Sequence, residues 1–123
     1  MGRSGFSLAA AVATAGLLAL HAPAARADKW TKTDTAVEAA CAGLLIADWG
    51  QTLDRRYEES NPILGKRPTE AAVTGYFLGV ITLHLAIARV LPRPWRTLFQ
   101  GTTIGVEGHS IYANWRLGAH FSW

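Results

Sequence analysis

An uninterrupted apolar run at residues 71–88 constrains this chain of 123 residues more than any other feature. Glu70 and Arg89 flank the run, and Pro92 follows it, so a helix containing the run is predicted to end near residue 91. At about 1.5 Å per residue such a helix covers roughly 30 Å, the hydrocarbon thickness of a bilayer. The run therefore predicts a membrane-spanning helix over residues 69–91, with Thr69 as its N-cap.

The first 27 residues have the three parts of a secretory signal peptide. Arg3 supplies a positive end, residues 6–20 are apolar, and Ala25 and Ala27 form an A-x-A cleavage site. We predict cleavage after Ala27, which leaves residues 28–123 as one domain. The alternative is that the segment remains as an uncleaved first transmembrane helix. In both cases the chain enters the secretory pathway, so a cytosolic enzyme is not expected.

The composition argues against several classes of function. Charged residues make up 17% of the chain, below the roughly 25% typical of soluble domains. The formal net charge of +3 includes Arg3 and Arg26 of the signal segment, and the remaining cations are dispersed among acids, so nucleic-acid binding is not expected. Cys41 is the only cysteine, which excludes an intramolecular disulfide and a zinc site built from cysteines. In an Ala/Leu run it is expected to be a small buried side chain.

Two further helices are predicted on either side of the apolar run. The first covers residues 35–53, with Asp34 as its N-cap and Glu38 in its first turns. The second covers residues 96–117 and follows a stiff interfacial turn that runs from Pro92 to Arg96. The predicted fold class is therefore all-α, a three-helix membrane bundle. The inner membrane is its expected location, and the periplasm and outer membrane are the alternatives.

Polar residues recur along the last predicted helix at intervals of three, four, three and four. They are Gln100, Thr103, Glu107, Ser110 and Asn114. This spacing places them on one helical face. In a membrane that face must turn towards the other helices, because lipid does not solvate polar groups. We therefore expect Glu107 to be buried, with His84 or Thr103 as its partner.

Three ionisable residues, Asp48, His84 and Glu107, lie in otherwise apolar helices. The positive-inside rule places the basic connection at residues 54–68 in the cytoplasm. Counted from the helix ends on that side, the depths of the three residues are roughly 8, 20 and 15 Å. Ligands of one metal ion lie within about 2.2 Å of it, so this trio predicts no metal site. Neither a cofactor nor a catalytic residue is predicted. Pairwise contacts of Glu107 with His84, and of Asp48 with Asn114, remain open.

Asp48, Gln51 and Thr52 share one helical face ahead of a polar loop. The candidate loop residues are Glu58, Asn61, Pro62 and Gly65. This segment resembles small uncharacterised bacterial membrane proteins that have an Asp-x-x-x-Thr helix followed by a Glu-x-Asn-Pro-x-x-Gly loop. The resemblance implies no activity. The alternative interpretation is a capped helix end followed by a turn.

Two glycine pairs, Gly75 with Gly79 and Gly101 with Gly105, have the spacing that lets membrane helices approach closely. They predict packing within the bundle or a homodimer. The expected function is a non-enzymatic accessory or interaction protein, with the lipid bilayer and a second copy or a larger membrane protein as partners. The alternative is a proton or ion relay, a carrier or a membrane enzyme that uses Asp48, His84 and Glu107.

The last ten residues alternate between apolar and polar side chains, as a strand does. This pattern resembles the closing strand of an outer-membrane barrel. A barrel needs at least about eight alternating strands, and the run at 71–88 does not alternate. A short terminal strand or an extended tail is therefore expected.

Overall fold

The computed structural model describes residues 28–54, 59 and 61–122. These residues form three helices, α1 (Lys32–Thr52), α2 (Glu70–Val90) and α3 (Arg93–Arg116), and within these ranges no strand is present. The prediction of an all-helical bundle of three helices is confirmed for this part of the chain. The signal-peptide prediction and the loop candidate Glu58 lie outside the described residues.

The start of α1 differs from the prediction, because Thr31 rather than Asp34 is its N-cap. The Thr31 hydroxyl accepts a hydrogen bond from the Asp34 backbone N–H at 3.1 Å, and the Asp34 carboxylate accepts one from the Thr31 N–H at 2.8 Å. This reciprocal capping box satisfies two backbone donors at once. The helix therefore begins at Lys32, and Asp34 and Glu38 both lie on its buried face.

The connection between α2 and α3 is shorter than predicted. The Thr69 N-cap is confirmed, since its hydroxyl accepts a hydrogen bond from the Ala72 N–H at 3.2 Å. The predicted interfacial turn is instead the first turn of α3, which begins at Arg93 directly after Pro92. Pro94 fits there because the first helical N–H groups have no intrahelical acceptor to lose.

The three helices run alternately up, down and up. The Arg93 N–H donates to the Asp28 carboxylate at 2.6 Å, and the Arg96 guanidinium donates to Asp34 at 3.1 Å. These contacts place the start of α1, the end of α2 and the start of α3 at one end of the bundle, hereafter the Arg96 end. α1 packs most extensively against α3.

The C-terminal residues turn back onto the bundle. α3 ends in a Schellman motif, in which the Gly118 N–H donates to Trp115 O and the Ala119 N–H to Asn114 O. Gly118 has a φ of +86°, which glycine adopts without steric cost. His120 then donates its backbone N–H to the Asp54 carboxylate at 3.0 Å. Residues 119–122 form an irregular tail on the end of α1, and the predicted terminal strand is not formed there.

The interior of the described bundle is rich in polar side chains, since ten polar or charged residues are buried beside eight apolar ones. Its buried polar residues are Asp34, Glu38, Gln51, Asp54, His84, Arg96, Gln100, Thr103, Glu107 and Asn114. Large apolar side chains on the outside include Leu78, Leu83, Leu85, Leu98, Ile104 and Trp115. The predicted polar face of α3 does turn towards the other helices, with Ser110 at its half-buried edge.

α2 alone among the described helices is long and apolar enough to cross a membrane, judged by length and composition. Only 22% of its most apolar stretch of 18 residues is buried in the bundle. Exposed leucines on that stretch include Leu78, Leu83 and Leu85.

The two glycine pairs do not bring these helices together. A methyl group added at Gly75, Gly79, Gly101 or Gly105 would meet nothing within 4 Å, and all four positions are exposed. The prediction that they mediate packing within the bundle is wrong. Instead the helices pack through the buried polar residues and through buried apolar ones such as Leu45, Phe77 and Phe99.

Candidate functional site

A buried hydrogen-bond network joins the three helices near the Arg96 end. His84 Nδ1 of α2 lies 2.8 Å from Glu38 Oε1 of α1, and His84 Nε2 lies 2.9 Å from the Thr103 hydroxyl of α3. Gln100 Nε2 donates to the second carboxylate oxygen, Glu38 Oε2, at 2.8 Å. The Phe99 ring stacks on the imidazole with ring centres 4.3 Å apart. The imidazole is therefore fixed by a polar contact from each neighbouring helix and by one aromatic face.

Helical spacing explains which residues of α1 take part. Asp34, Glu38, Cys41 and Leu45 are separated by four, three and four residues, and all four are buried. Cys41 Sγ lies 3.5 Å from the backbone oxygen of Gln100, so the thiol donates into the same network. Glu38 Oε, Cys41 Sγ and His84 Nδ1 or Nε2 all lie within 4.8 Å of one another.

The sequence analysis missed Glu38 as the partner of His84. Glu38 lies six residues after the start of α1, and His84 lies six residues before the end of α2. Both are therefore roughly 9 Å from the Arg96 end. The signal that could have identified this pair is the equal depth of the two residues along their helices.

Arg96 forms a second buried cluster at the end of the bundle. Its guanidinium donates to the Asp34 carboxylate at 3.1 Å and to the Ala88, Leu91 and Asp28 backbone oxygens at 2.8, 3.0 and 3.0 Å. Two of these acceptors are the last carbonyls of α2, which have no intrahelical donor. Arg96 therefore caps α2 from α3. The sequence analysis had placed it in an interfacial turn.

Asp34 is held in its charged form by local contacts. Hydrogen bonds from the Thr31 hydroxyl and the Thr31 backbone N–H keep the pKa of Asp34 below its ordinary value of 3.8, and the charge of Arg96 acts in the same direction. Trp30 covers this end, because the guanidinium carbons of Arg89 and Arg96 lie 4.2 and 5.1 Å from its ring centre.

The opposite half of the bundle contains the contact of Asp48 with Asn114 that the sequence left open. Asn114 Nδ2 donates to Asp48 Oδ1 at 3.2 Å. Gln51 Nε2 donates to the Ile111 backbone oxygen at 3.3 Å and ties the same two helices together. Thr52, the third candidate of this segment, is the half-buried last residue of α1.

Glu107 lies between the two polar regions and does not pair with His84. It is only 3% exposed, as predicted, but both nitrogens of His84 are occupied by Glu38 and Thr103. Glu107 Oε2 has no hydrogen-bond partner among the residues that the structure describes. Thr103, one turn closer to the Arg96 end, reaches the imidazole instead. The predicted pairing of Glu107 with His84 is therefore wrong.

The loop candidates form a turn. The Asn61 side chain accepts a hydrogen bond from the Ile63 N–H at 3.0 Å, and its backbone oxygen accepts from the Gly65 N–H at 3.0 Å. Gly65 has a φ of +74°, and Pro62 is exposed beside it. Glu59 accepts from the Asn61 N–H at 2.9 Å. These contacts support the interpretation of the segment as a turn after α1.

The chain was compared with protein-family models, with curated proteins and with solved structures. None of the three comparisons finds a match.

Proposed function

We propose that this chain is a small integral membrane protein, inserted through the secretory pathway, that acts as a non-enzymatic accessory subunit for a membrane partner. The observation that carries the proposal is the distribution of polar and apolar side chains in the bundle. Charged and amide side chains are buried beside the apolar core, whereas Leu78, Leu83, Leu85 and Leu98 face outwards. Water favours the opposite arrangement, and lipid favours this one.

The exposure of α2 supports the same conclusion. The core helix of a soluble protein can be equally long and apolar, but such a helix is mostly buried. Here only 22% of the most apolar 18-residue stretch is buried, and Leu78, Leu83 and Leu85 on it are exposed. Buried polar groups in the interior are hydrogen-bonded across helices, which is how membrane bundles hold such groups away from lipid. We propose residues 71–88 of α2 as the membrane span, with α1 and α3 packed along it.

The outward glycines support an interaction role. Gly75, Gly79, Gly101 and Gly105 contribute nothing to packing between the described helices. On a lipid-facing surface such pairs allow another helix to approach the backbone closely. The polar interior is largely satisfied by its own hydrogen bonds, which favours a structural role for it over catalysis.

Extraction and co-purification test this proposal. After alkaline carbonate treatment, the protein should remain in the membrane pellet. After purification in mild detergent, it should retain a stoichiometric partner or a second copy, and Gly79→Leu or Gly101→Leu should weaken that association. Ala40→Leu is the control, because Ala40 is exposed on α1 outside both pairs. Release into the carbonate supernatant, or a monomer without any partner, would contradict the proposal.

A proton relay is the second candidate, favoured by Glu107. A buried carboxylate oxygen without a hydrogen-bond partner among the described residues lies between the His84 network and Asp48. Such a group is costly in a low-dielectric interior, and ionisable residues inside membrane helices commonly mark proton or ion pathways. Proteoliposomes containing a pH-sensitive dye should then show proton flux that Glu107→Gln abolishes. Equal flux with the wild-type and Glu107→Gln proteins would rule out a relay through this residue.

A further inference from the structure

The network around His84 contains three different metal-binding side chains. Glu38 and Cys41 come from one face of α1, and His84 comes from α2. A carboxylate oxygen, a thiolate sulfur and an imidazole nitrogen are the three donor types that zinc accepts in proteins. Carboxylate makes Cu⁺ a poor fit, and thiolate with imidazole makes Mg²⁺ and Ca²⁺ poor fits.

The donor atoms are already close together. They lie within 4.8 Å of one another, and a tetrahedral zinc ion would hold such atoms about 3.4 to 3.6 Å apart. Glu38 Oε1 and His84 Nδ1, now 2.8 Å apart, would separate slightly to admit the ion between them. Cys41 would approach by about 1 Å, a movement that side-chain rotation can supply.

Each of the three donors is held by a second contact from α3. Thr103 binds His84 Nε2 at 2.9 Å, which leaves Nδ1 directed at Glu38. Gln100 donates to Glu38 Oε2 and so leaves Oε1 for the site, while its backbone oxygen lies against Cys41 Sγ. Outer contacts of this kind orient the ligands of metal centres. His84 Nδ1 and Glu38 Oε1 are therefore directed towards each other.

The charge of the cluster also suits a divalent ion. A Cys41 thiolate and a Glu38 carboxylate carry two negative charges, and His84 binds a metal as the neutral imidazole. With a divalent cation the sum is zero, which is the charge state that costs least in a buried site. The thiol proton leaves to solvent when the ion binds, as in other cysteine sites.

We propose that Glu38, Cys41 and His84 form a binding site for a divalent transition-metal ion of the zinc class. Three protein ligands leave a fourth position for water or for a ligand atom supplied by a partner. This inference goes beyond the proposed accessory role, which requires no metal. It also replaces the expectation of no metal site, which was reached from Asp48, His84 and Glu107.

Cobalt substitution tests the site on the full chain. The protein, purified in mild detergent without a histidine tag and stripped with a chelator, should bind one equivalent of Co²⁺. Its spectrum should contain a thiolate-to-cobalt charge-transfer band, which Zn²⁺ displaces. Because Cys41 is the only cysteine, that band reports on this site alone. Binding without the band, or no binding at all, would overturn the proposal, and neither outcome depends on any variant.

Substitutions then identify the other ligands. Glu38→Gln and His84→Gln should each weaken Co²⁺ binding at least tenfold, and Cys41→Ser should abolish the charge-transfer band. His109→Gln is the control, because His109 is exposed on α3, and it should bind Co²⁺ as the wild type does. Circular dichroism on each variant checks that the helices are retained. Unchanged Co²⁺ affinity in a folded Glu38→Gln or His84→Gln protein would show that the substituted residue is not a ligand, and it would overturn the proposed site.

Discussion

His84 Nδ1 lies 2.8 Å from Glu38 Oε1, and this contact links α2 to α1 in the interior of the bundle. The imidazole is fully buried, and its other nitrogen is 2.9 Å from the Thr103 hydroxyl of α3. One side chain therefore carries hydrogen bonds to both of the other helices. Because a buried polar group that loses its partner is costly, the stability of the bundle should depend on this contact set.

Thr103→Val removes the α3 partner of His84 with little change in side-chain shape. We expect the free energy of unfolding to fall by about 1–3 kcal/mol, because one imidazole nitrogen is left without its hydrogen bond. Thr102→Val is the matched control, because Thr102 is exposed one position earlier, and its effect should stay within about 0.5 kcal/mol. Chemical unfolding in detergent, monitored by circular dichroism, measures the free energy of unfolding of both variants. Equal effects at the two positions would contradict the assigned role of Thr103.

Arg96→Met should be among the most destabilising substitutions in the described part of the chain. It leaves the Asp34 carboxylate without its buried counter-ion and the carbonyls of Ala88 and Leu91 without donors. Breaking a buried ion pair in this way costs about 3–5 kcal/mol.

Arg93→Met provides the comparison for Arg96→Met, because the Arg93 side chain is exposed and its contact with Asp28 comes from the backbone N–H. Its effect on the unfolding midpoint should be small. Arg96→Lys should recover only part of the stability, because an ammonium group cannot reproduce the planar set of donors that reaches these acceptors. Full recovery with lysine would mean that charge alone matters at this position.

The low pKa of Asp34 predicts an acid-sensitive contribution to stability. Hydrogen bonds from Thr31, and then the charge of Arg96, lower the pKa in the folded state below the ordinary value of 3.8. This contribution is therefore fully present above pH 3.8 and is lost as the pH falls through the lower folded-state pKa. Thr31→Val removes one of these hydrogen bonds. It should therefore reduce the loss of stability between about pH 5 and about pH 2, a range that includes the ordinary pKa of 3.8. Thermal unfolding at a series of pH values would contradict the assignment if wild type and variant changed in parallel.

Gly118→Ala should destabilise the protein by about 1 kcal/mol, because its φ of +86° strains any residue with a side chain. The docking of Ala119 and the tail on α1 would weaken with it. Gly105→Ala is the matched comparison, since Gly105 lies inside α3 with open space around it. There alanine favours the helix by up to about 1 kcal/mol, so stability should stay equal or increase. The unfolding measurements should therefore show a lower free energy of unfolding for Gly118→Ala and no decrease for Gly105→Ala.

The sequence determined the helices and much of their orientation about their own axes. Proline and N-cap signals placed Thr69 and the end of α2 correctly, and the spacing along α3 identified Gln100, Thr103, Glu107 and Asn114 as the inward face. Each of these features depends on local backbone geometry, which repeats every 3.6 residues and is therefore readable from spacing. The contact of Asp48 with Asn114, which the sequence left open, is present.

Only the tertiary structure decided which inward residues meet. His84 contacts Glu38 rather than Glu107, and Gly79 faces outwards rather than towards a neighbouring helix. Arg96, which the sequence places in a surface turn, lies in the interior. It donates there to carbonyls at the end of α2 that have no intrahelical donor. Spacing gives the face and the depth of a residue on its own helix. The rotation and offset between helices follow from the packing of all three at once, and they select the partner among residues of similar depth.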